Sequence, residues 1–499
     1  MRKKYSREDL LEIFTRVTPQ SIQLRKAWAE MSRDSLTGLA GHIRQKIDKV
    51  SPETRISLCQ AGCSDFDGDF TEAVATAFAG ETKPLIRVHG STYSSDDPES
   101  IPRAIFNVHH TRETLPEHFE LIHESDTYPH TRFFMSAAKL KSLMAAAFSY
   151  GMDDSLFYTT QYLDDPLEES GYSEMFKAEA KRFETIKREV SDCRPQGCQI
   201  CHSPWSHIAV PYNTNRAVCP KAPLNPWINV LGKFGIAYSV RPGKVKMLAG
   251  DYPKILSDDD IRELLSGGVM MDGKAACILS ERGFSDLIGA TVSPGGEAMF
   301  CSEQIEQSAG FQGIRGKKMY NLIFAPAGSE GGRFYELKTK QQTIALTSFC
   351  DPTGQAVMPG MTFCENSLGG RVAITAFDLE GNRSSAMFNY RKREIVRQTL
   401  EWVGQQSLPV YIKKLPKSFC IFNESEIGDK AIVTIINLCP DPTEEVDLGV
   451  AEDWNSCAVE SLDSQGCWKE EDVSPGENSV ILKQRLNYMD PVYVKLSKP

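Results

Sequence analysis

Residues 119–126, FELIHESD, followed at 131–151 by TRFFMSAAKLKSLMAAAFSYG, decide how this chain is read. The first run alternates apolar and polar side chains as a short strand does, and the second places Leu140, Met144, Ala147 and Phe148 on one helical face. The pairing recurs on both sides. RISLCQAG (55–62) precedes DFTEAVATAFAG, PLIRVHG (84–90) precedes IPRAIFNVHHT, and SLFYTTQY (155–162) precedes YSEMFKAEAKRFETIKREV. Four short apolar runs alternating with four helices predict a parallel sheet covered by helices. Upstream, Ser6 is placed to cap a helix SREDLLEIFTRV, and Ser21 to Lys49 keeps apolar residues at helical spacing.

Working outward, residues 191–228 are rich in Pro, Cys and Asn and have no clear period, which marks a boundary. A second α/β unit follows. VKMLAG (245–250) and VMMD read as strands, Ser257 with Asp260 as a capping box for DDDIRELL, and KAACILSERG as a helix closed by Gly283. Residues 288–372 are β-rich and loop-rich, and AITAFD with KREIVRQTLEWV returns to α/β. From about 405 onward, short alternating runs separated by Pro, Gly, Asp and Asn predict a small antiparallel β-sandwich. The expected division is 1–205, 206–404 and 405–499, in keeping with about 150 residues per domain for a chain of 499.

A net charge of −10 with scattered Lys and Arg argues against nucleic acid or an anionic membrane as partner. No apolar run follows the basic N-terminus and none approaches the roughly 20 residues of a membrane helix, so a cytoplasmic protein is expected. Most of the 14 cysteines sit singly inside apolar runs and read as buried thiols. CQICH at 198–202 has the C-x-x-C-H haem-attachment spacing, and Cys193, His207 and Cys219 lie nearby. The spacing fits no standard zinc finger and haem attachment needs export, so no metal or cofactor is expected. No G-x-G-x-x-G follows the first strand of the second unit, which removes the reason to expect a dinucleotide.

All nine histidines precede position 208, which puts acid/base chemistry in the first unit. In parallel βα folds, functional groups stand at the carboxyl ends of the strands. Those ends carry His89 and Tyr93, then Glu124, Asp126 and Tyr128, then Tyr158 and Gln161: carboxylates, an amide and aromatic rings that suit a sugar. By strand alternation Glu120, Ile122 and Glu124 share a face, so an inward-pointing Ile122 sets Glu124 at the rim of a barrel. The competing reading makes Glu124 one half of an ion pair with Arg87 or Arg132, and Asp126 a cap of the following helix or a group that orients Arg132. Of His109 and His110, adjacent on a helix, one is expected at the surface and one in the core.

The segments ELIHESDTYPHTRFFMSA, TTQYLDDPLEESGY and LSDDDIRELLSGGVMMDGKAACILSERGFSDLIG resemble glycoside hydrolases of clan A close to the family-42 β-galactosidases. The resemblance implies a (β/α)8 barrel, then a Rossmann-like unit called the trimerisation domain, then a small β domain. It also implies a carbohydrate substrate and a homo-oligomer, a trimer by the family's pattern. In that family the nucleophilic glutamate ends barrel strand seven and the acid/base glutamate ends strand four; Glu124 matches the first. Only four βα units precede residue 191, so the expected first domain is the C-terminal half of a barrel, without the strands that carry the acid/base residue. Two functions follow: a retaining β-glycosidase, weak or inactive as this polypeptide, or a non-catalytic carbohydrate-binding or assembly protein on the same scaffold. A metal or redox role for the Cys-rich loop is the third.

Overall fold

Parallel pairing runs through the first 190 residues of the computed structural model, which describes residues 6–60, 70–91, 100–159, 170–211, 223–295, 299–306, 313–320, 325–326, 333–380, 387–471, 473–476 and 479–499. Strands β1 (Ser57–Gln60), β2 (Leu85–His89), β3 (Glu120–Glu124) and β4 (Asp154–Leu156) pair in chain order. Arg87 lies opposite Ile122, and His89 opposite Glu124. Helices α1 (Arg7–Thr15) and α2 (Pro19–Asp48) precede the sheet, and α3 (Thr71–Ala79), α4 (Ile101–Thr114), α5 (Ala137–Ser149) and α6 (Gly171–Glu189) follow its strands in turn. Ser6 forms the expected capping box, exchanging hydrogen bonds with Asp9 at 2.9 and 3.1 Å.

The sheet has two unlike faces. Ile86, Val88, Leu121 and His123 are fully buried beneath helices, whereas Arg87, His89, Glu120, Ile122 and Glu124 on the other face are only partly covered. Two expectations about helices need correction. The helix after β3 begins at Ala137, capped by Ser136 Oγ accepting from Lys139 N at 3.1 Å, because Thr131–Met135 turns back on itself instead of entering the helix. His109 and His110 are both buried, since α4 is packed against β2, α5 and α7 (Trp227–Phe234). Burial lowers His109 to a pKa of about 3 and His110 to about 4.

The segment read as an unstructured boundary forms two short strands that leave in different directions. β5 (Cys193–Pro195) joins the C-terminal β unit, pairing antiparallel with Ser418–Ser425, and β6 (Cys198–Ile200) opens the next sheet. Among the described residues that sheet has nine strands. Its parallel half runs β7 (Tyr238–Ser239), β6, β8 (Val245–Leu248), β9 (Gly268–Met271) and Arg371–Thr375, a doubly wound order with its reversal between β6 and β8. Helices α8 (Asp258–Leu265), with the expected Ser257–Asp260 capping box, and α9 (Gly273–Glu281) connect its strands. The β-rich stretch continues the same sheet by antiparallel strands, including Ser302–Ile305, Ile344–Cys350 and Ala356–Glu365.

The C-terminal unit consists of a four-stranded and a six-stranded antiparallel sheet around its own apolar cluster, with Phe422, Val433, Leu448 and Val494 inside. It closes on the first unit through α5. Ser142 Oγ donates to Met489 O at 3.0 Å, Ser149 Oγ meets Thr434 Oγ1 at 2.7 Å, and Asn423 donates to Ser149 O at 2.9 Å. This second set of contacts is why α5 is buried around nearly its whole circumference and not on one face alone. Among the described residues no helix is long and apolar enough to cross a membrane.

Candidate active site

Strand alternation sets the geometry here. Arg87 and His89 are two apart on β2, Ile122 and Glu124 two apart on β3, and the parallel register brings all four to one face. Glu124 Oε1 lies 3.0 Å from Arg87 Nη2, and Oε2 lies 3.5 Å from His89 Nδ1. Of the two ion-pair partners weighed from sequence, Arg87 is the one found. Arg132 instead lies against Gly171 at the start of α6, where an added Cβ would come within 2.6 Å of its Nε.

The opposite face anchors the strand ends. Asn107 Nδ2 donates to His89 O at 2.5 Å and reaches Gln60 Oε1 at 3.3 Å, while Gln60 donates to Thr71 at 3.1 Å. His123, on the helix-facing side, contacts Gly90 O at 3.0 Å through Nε2 and Ser125 Oγ at 2.7 Å through Nδ1; burial lowers its pKa to about 4. Gly90 has to be glycine: a Cβ there would stand 2.5 Å from Val108 Cγ2 and 2.9 Å from His123 Nε2. His123 is therefore a neutral structural group behind the site, not an acid or base within it.

Beyond Glu124 the chain forms a tight rim. Asp126 accepts from Tyr128 N at 2.9 Å, so it caps a turn and not α5. Ser91 Oγ donates to Asp126 O at 2.6 Å, tying this rim to the end of β2. Thr127 Oγ1 donates to Tyr158 O at 3.1 Å, and the rings of His130 and Tyr158 lie 4.1 Å apart. Glu124, His89, Asp126, Tyr128 and Tyr158 thus gather at the carboxyl ends of β2–β4; Tyr93 and Gln161 lie outside the described residues. Sequence reasoning gave Phe133 and Phe134 no role, although both project into solvent from this rim. Two adjacent aromatics in a turn were the available signal, hidden because TRFF was read as helix.

The Cys-rich segment is divided between two sheets. Cys193, Cys198 and Cys201 are buried, and desolvation pushes each thiol up to about 12. Among the described residues no group of three or more His, Cys, Asp or Glu side chains is placed to hold a metal ion.

A parallel helix-covered sheet carrying a carboxylate at its strand ends, a doubly wound unit and a two-sheet β unit follow one another in this chain, and its fold is similar to that of a solved glycosidase. The solved structure of α-L-fucosidase isoenzyme 2 from Paenibacillus thiaminolyticus is similar over 93% of this chain and 71% of that one, with a TM-score of 0.61 and 13% identity. A rhamnosidase from Novosphingobium sp. PP1Y aligns with 85% of this chain and 35% of its own, at a TM-score of 0.41 and 10% identity, too distant to bear on the fold. No protein-family model matches the sequence. No curated protein matches it either.

Proposed function

We propose that this chain is a glycoside hydrolase-type protein whose sugar site is the Glu124 end of the first sheet, with Glu124 as the carboxylate that meets the anomeric carbon. The observation that carries this reading is the placement of Glu124. It stands at the carboxyl end of β3 on the incompletely covered face, oriented by Arg87 and His89, with Asp126, Tyr128 and Tyr158 on the segments that leave β3 and β4. A carboxylate fixed between a guanidinium and an imidazole is held in one orientation, which a nucleophile needs. Retention also requires a second, protonated carboxyl about 5 Å away. Among the described residues, the side chains that contact the Glu124 carboxylate are Arg87 and His89, and neither is a carboxyl.

General acid catalysis is worth on the order of 10²–10⁴-fold, so substrates whose leaving groups need little protonation are the most direct probes of Glu124. The family-42 resemblance makes β-galactosides the first substrates to test; α-L-fucosides come next, because the similar fold belongs to an α-L-fucosidase. The non-catalytic reading, a carbohydrate-binding protein on the same scaffold, is favoured by one fact: both Glu124 oxygens already have partners.

Aryl β-galactosides and aryl α-L-fucosides, whose leaving groups need little protonation, test the reading together with a fluorosugar that labels a nucleophile. The expected result is slow release or slow labelling at Glu124, lost in Glu124→Gln. Turnover that survives this substitution sinks the assignment, and sugar binding with no turnover in either protein establishes the non-catalytic alternative.

A further inference from the structure

We propose that the cleft between the doubly wound unit and the C-terminal β unit binds a small polar molecule carrying a primary ammonium group beside oxygen acceptors. Amino sugars and amino acids share this chemistry, and the site is independent of the Glu124 reading. The cleft has a volume of about 810 Å³, within the roughly 300–1,000 Å³ usual for small-molecule sites. Three parts of the chain build it. Gly197 comes from the link between β5 and β6, Lys244 from the doubly wound unit, and Glu424, Glu452, Asp453 and Trp454 from the β unit.

The walls carry charge that the protein does not itself pair. Glu424, Glu452, Asp453 and Lys244 line the cleft, and Lys498 lies over the ring of Trp454 with Nζ 4.3 Å from its centroid. Among the described residues these five side chains form no ion pair and no hydrogen bond. Glu424 is the decisive one. It is half-buried on the strand Ser418–Ser425, and burial raises its pKa above the ordinary 4.5, with Lys498 opposing the rise and Asp453 adding to it. A carboxylate that has lost part of its water and gained no donor is stabilised by a donor that enters the cleft. Trp454 shows the opposite need. It is 2% exposed, yet among the described residues its indole N–H has no acceptor, whereas the buried Trp227 donates to Leu248 O at 3.0 Å.

These two needs select the occupant. Three carboxylates against two ammonium groups leave one negative charge in excess, which favours a cation over an anion. A metal ion does not fit, since among the described residues no three His, Cys, Asp or Glu side chains are placed to hold one. An ammonium group brings three donors to the carboxylates, and a neighbouring hydroxyl or carboxylate oxygen gives Trp454 its acceptor. A neutral sugar satisfies the indole and leaves Glu424 without a counter-charge; a plain aliphatic amine does the reverse.

Isothermal titration calorimetry at fixed ionic strength with glucosamine, galactosamine, glycine and lysine, each compared with its N-acetyl form (for lysine, acetylated at both amines), tests the proposal. At least one amine is expected to bind the unmodified chain, and its acetylated form, which has no ammonium group, about tenfold more weakly or worse. Which amine binds tells an amino-sugar site from an amino-acid site. Glu424→Gln should weaken that amine by about tenfold or more with an unchanged thermal midpoint in its absence, while Glu444→Gln, an exposed carboxylate of the same unit, binds as the parent does. The proposal falls if no amine binds, if the acetylated form binds equally, or if Glu424→Gln binds as the parent does. It falls equally if magnesium chloride displaces the amine and itself loses binding in Glu424→Gln, which gives the site to a metal. Glu124→Gln separates the two sites: it is expected to keep amine binding unchanged. Loss of the amine in that variant places it at the first sheet and overturns the cleft alone, whereas turnover insensitive to Glu124→Gln overturns the nucleophile and leaves the cleft standing.

Discussion

Asp272 joins β9 to α9 and is fully buried. Its Oδ1 accepts from Ala275 N at 2.9 Å and Gly250 N at 3.0 Å, whereas Oδ2 has no hydrogen-bond partner. Burial raises its pKa from the ordinary 3.8 to about 7, with the nearby Asp378 adding to the rise and the two backbone N–H groups and Lys274 opposing it. The folded protein therefore keeps a proton that the unfolded chain releases. Stability from this group is fully present below pH 4 and is lost as the pH rises to about 7. At about 1.4 kcal/mol for each pH unit separating the two states, the whole effect is on the order of 4 kcal/mol. Asp272→Asn keeps the Oδ1 acceptor and places an uncharged donor where the field of Asp378 favours one. Calorimetric unfolding between pH 4 and 9 should find the variant close to the parent at pH 4 and more stable at pH 8, by roughly 5–15 °C for a unit of about 200 residues. Curves that stay parallel across the range refute the argument.

Lys392 lies on the helix Tyr390–Gly404, with Nζ 2.6 and 2.7 Å from the two oxygens of Glu303, and both side chains are buried. Lys392→Met is expected to cost about 3–5 kcal/mol by leaving Glu303 unpaired, and Glu303→Leu added to it should restore most of that loss; a double variant no better than the single one in thermal unfolding removes this explanation. Glu120 supplies an internal control for Glu124. It stands on the same face of β3, with Arg55 Nη2 at 2.9 Å and Lys83 Nζ at 3.8 Å, but at the amino end of the strand. Glu120→Gln should leave sugar binding and labelling unchanged while Glu124→Gln alters them; equal effects in the two would make the charged row structural throughout.

Local signals carried the elements whose reasons lie within a few residues. Ser6 and Ser257 advertised their helices because a capping box needs only a four-residue spacing. The four parallel strands were readable from alternation flanked by helical periods. What depends on distant pairing was not: Arg194 lies opposite Glu424, 230 positions on, and nothing in the Pro- and Cys-rich segment announces that partner. The burial of both His109 and His110 has the same origin. α4 meets α7 from the following unit, where Tyr238 OH also donates to Pro102 O at 3.2 Å, and a helical period counts one apolar face without knowing how many neighbours arrive.

The candidate site divides along the same line. Glu124, His89 and Tyr158 were visible because strand polarity alone puts them at the carboxyl ends, and the identity of the Glu124 partner was narrowed to two arginines. The choice of Arg87 over Arg132 required the register that sets Arg87 beside Ile122, two residues below Glu124. That choice has a functional consequence. Arg87 comes from the neighbouring strand of the rigid sheet, whereas Arg132 belongs to the rim turn, so the orientation of Glu124 does not depend on the segment that bears the exposed aromatics. A substitution in the rim turn, at Phe133 or Phe134, should therefore leave the Arg87–Glu124 pair of the sheet in place.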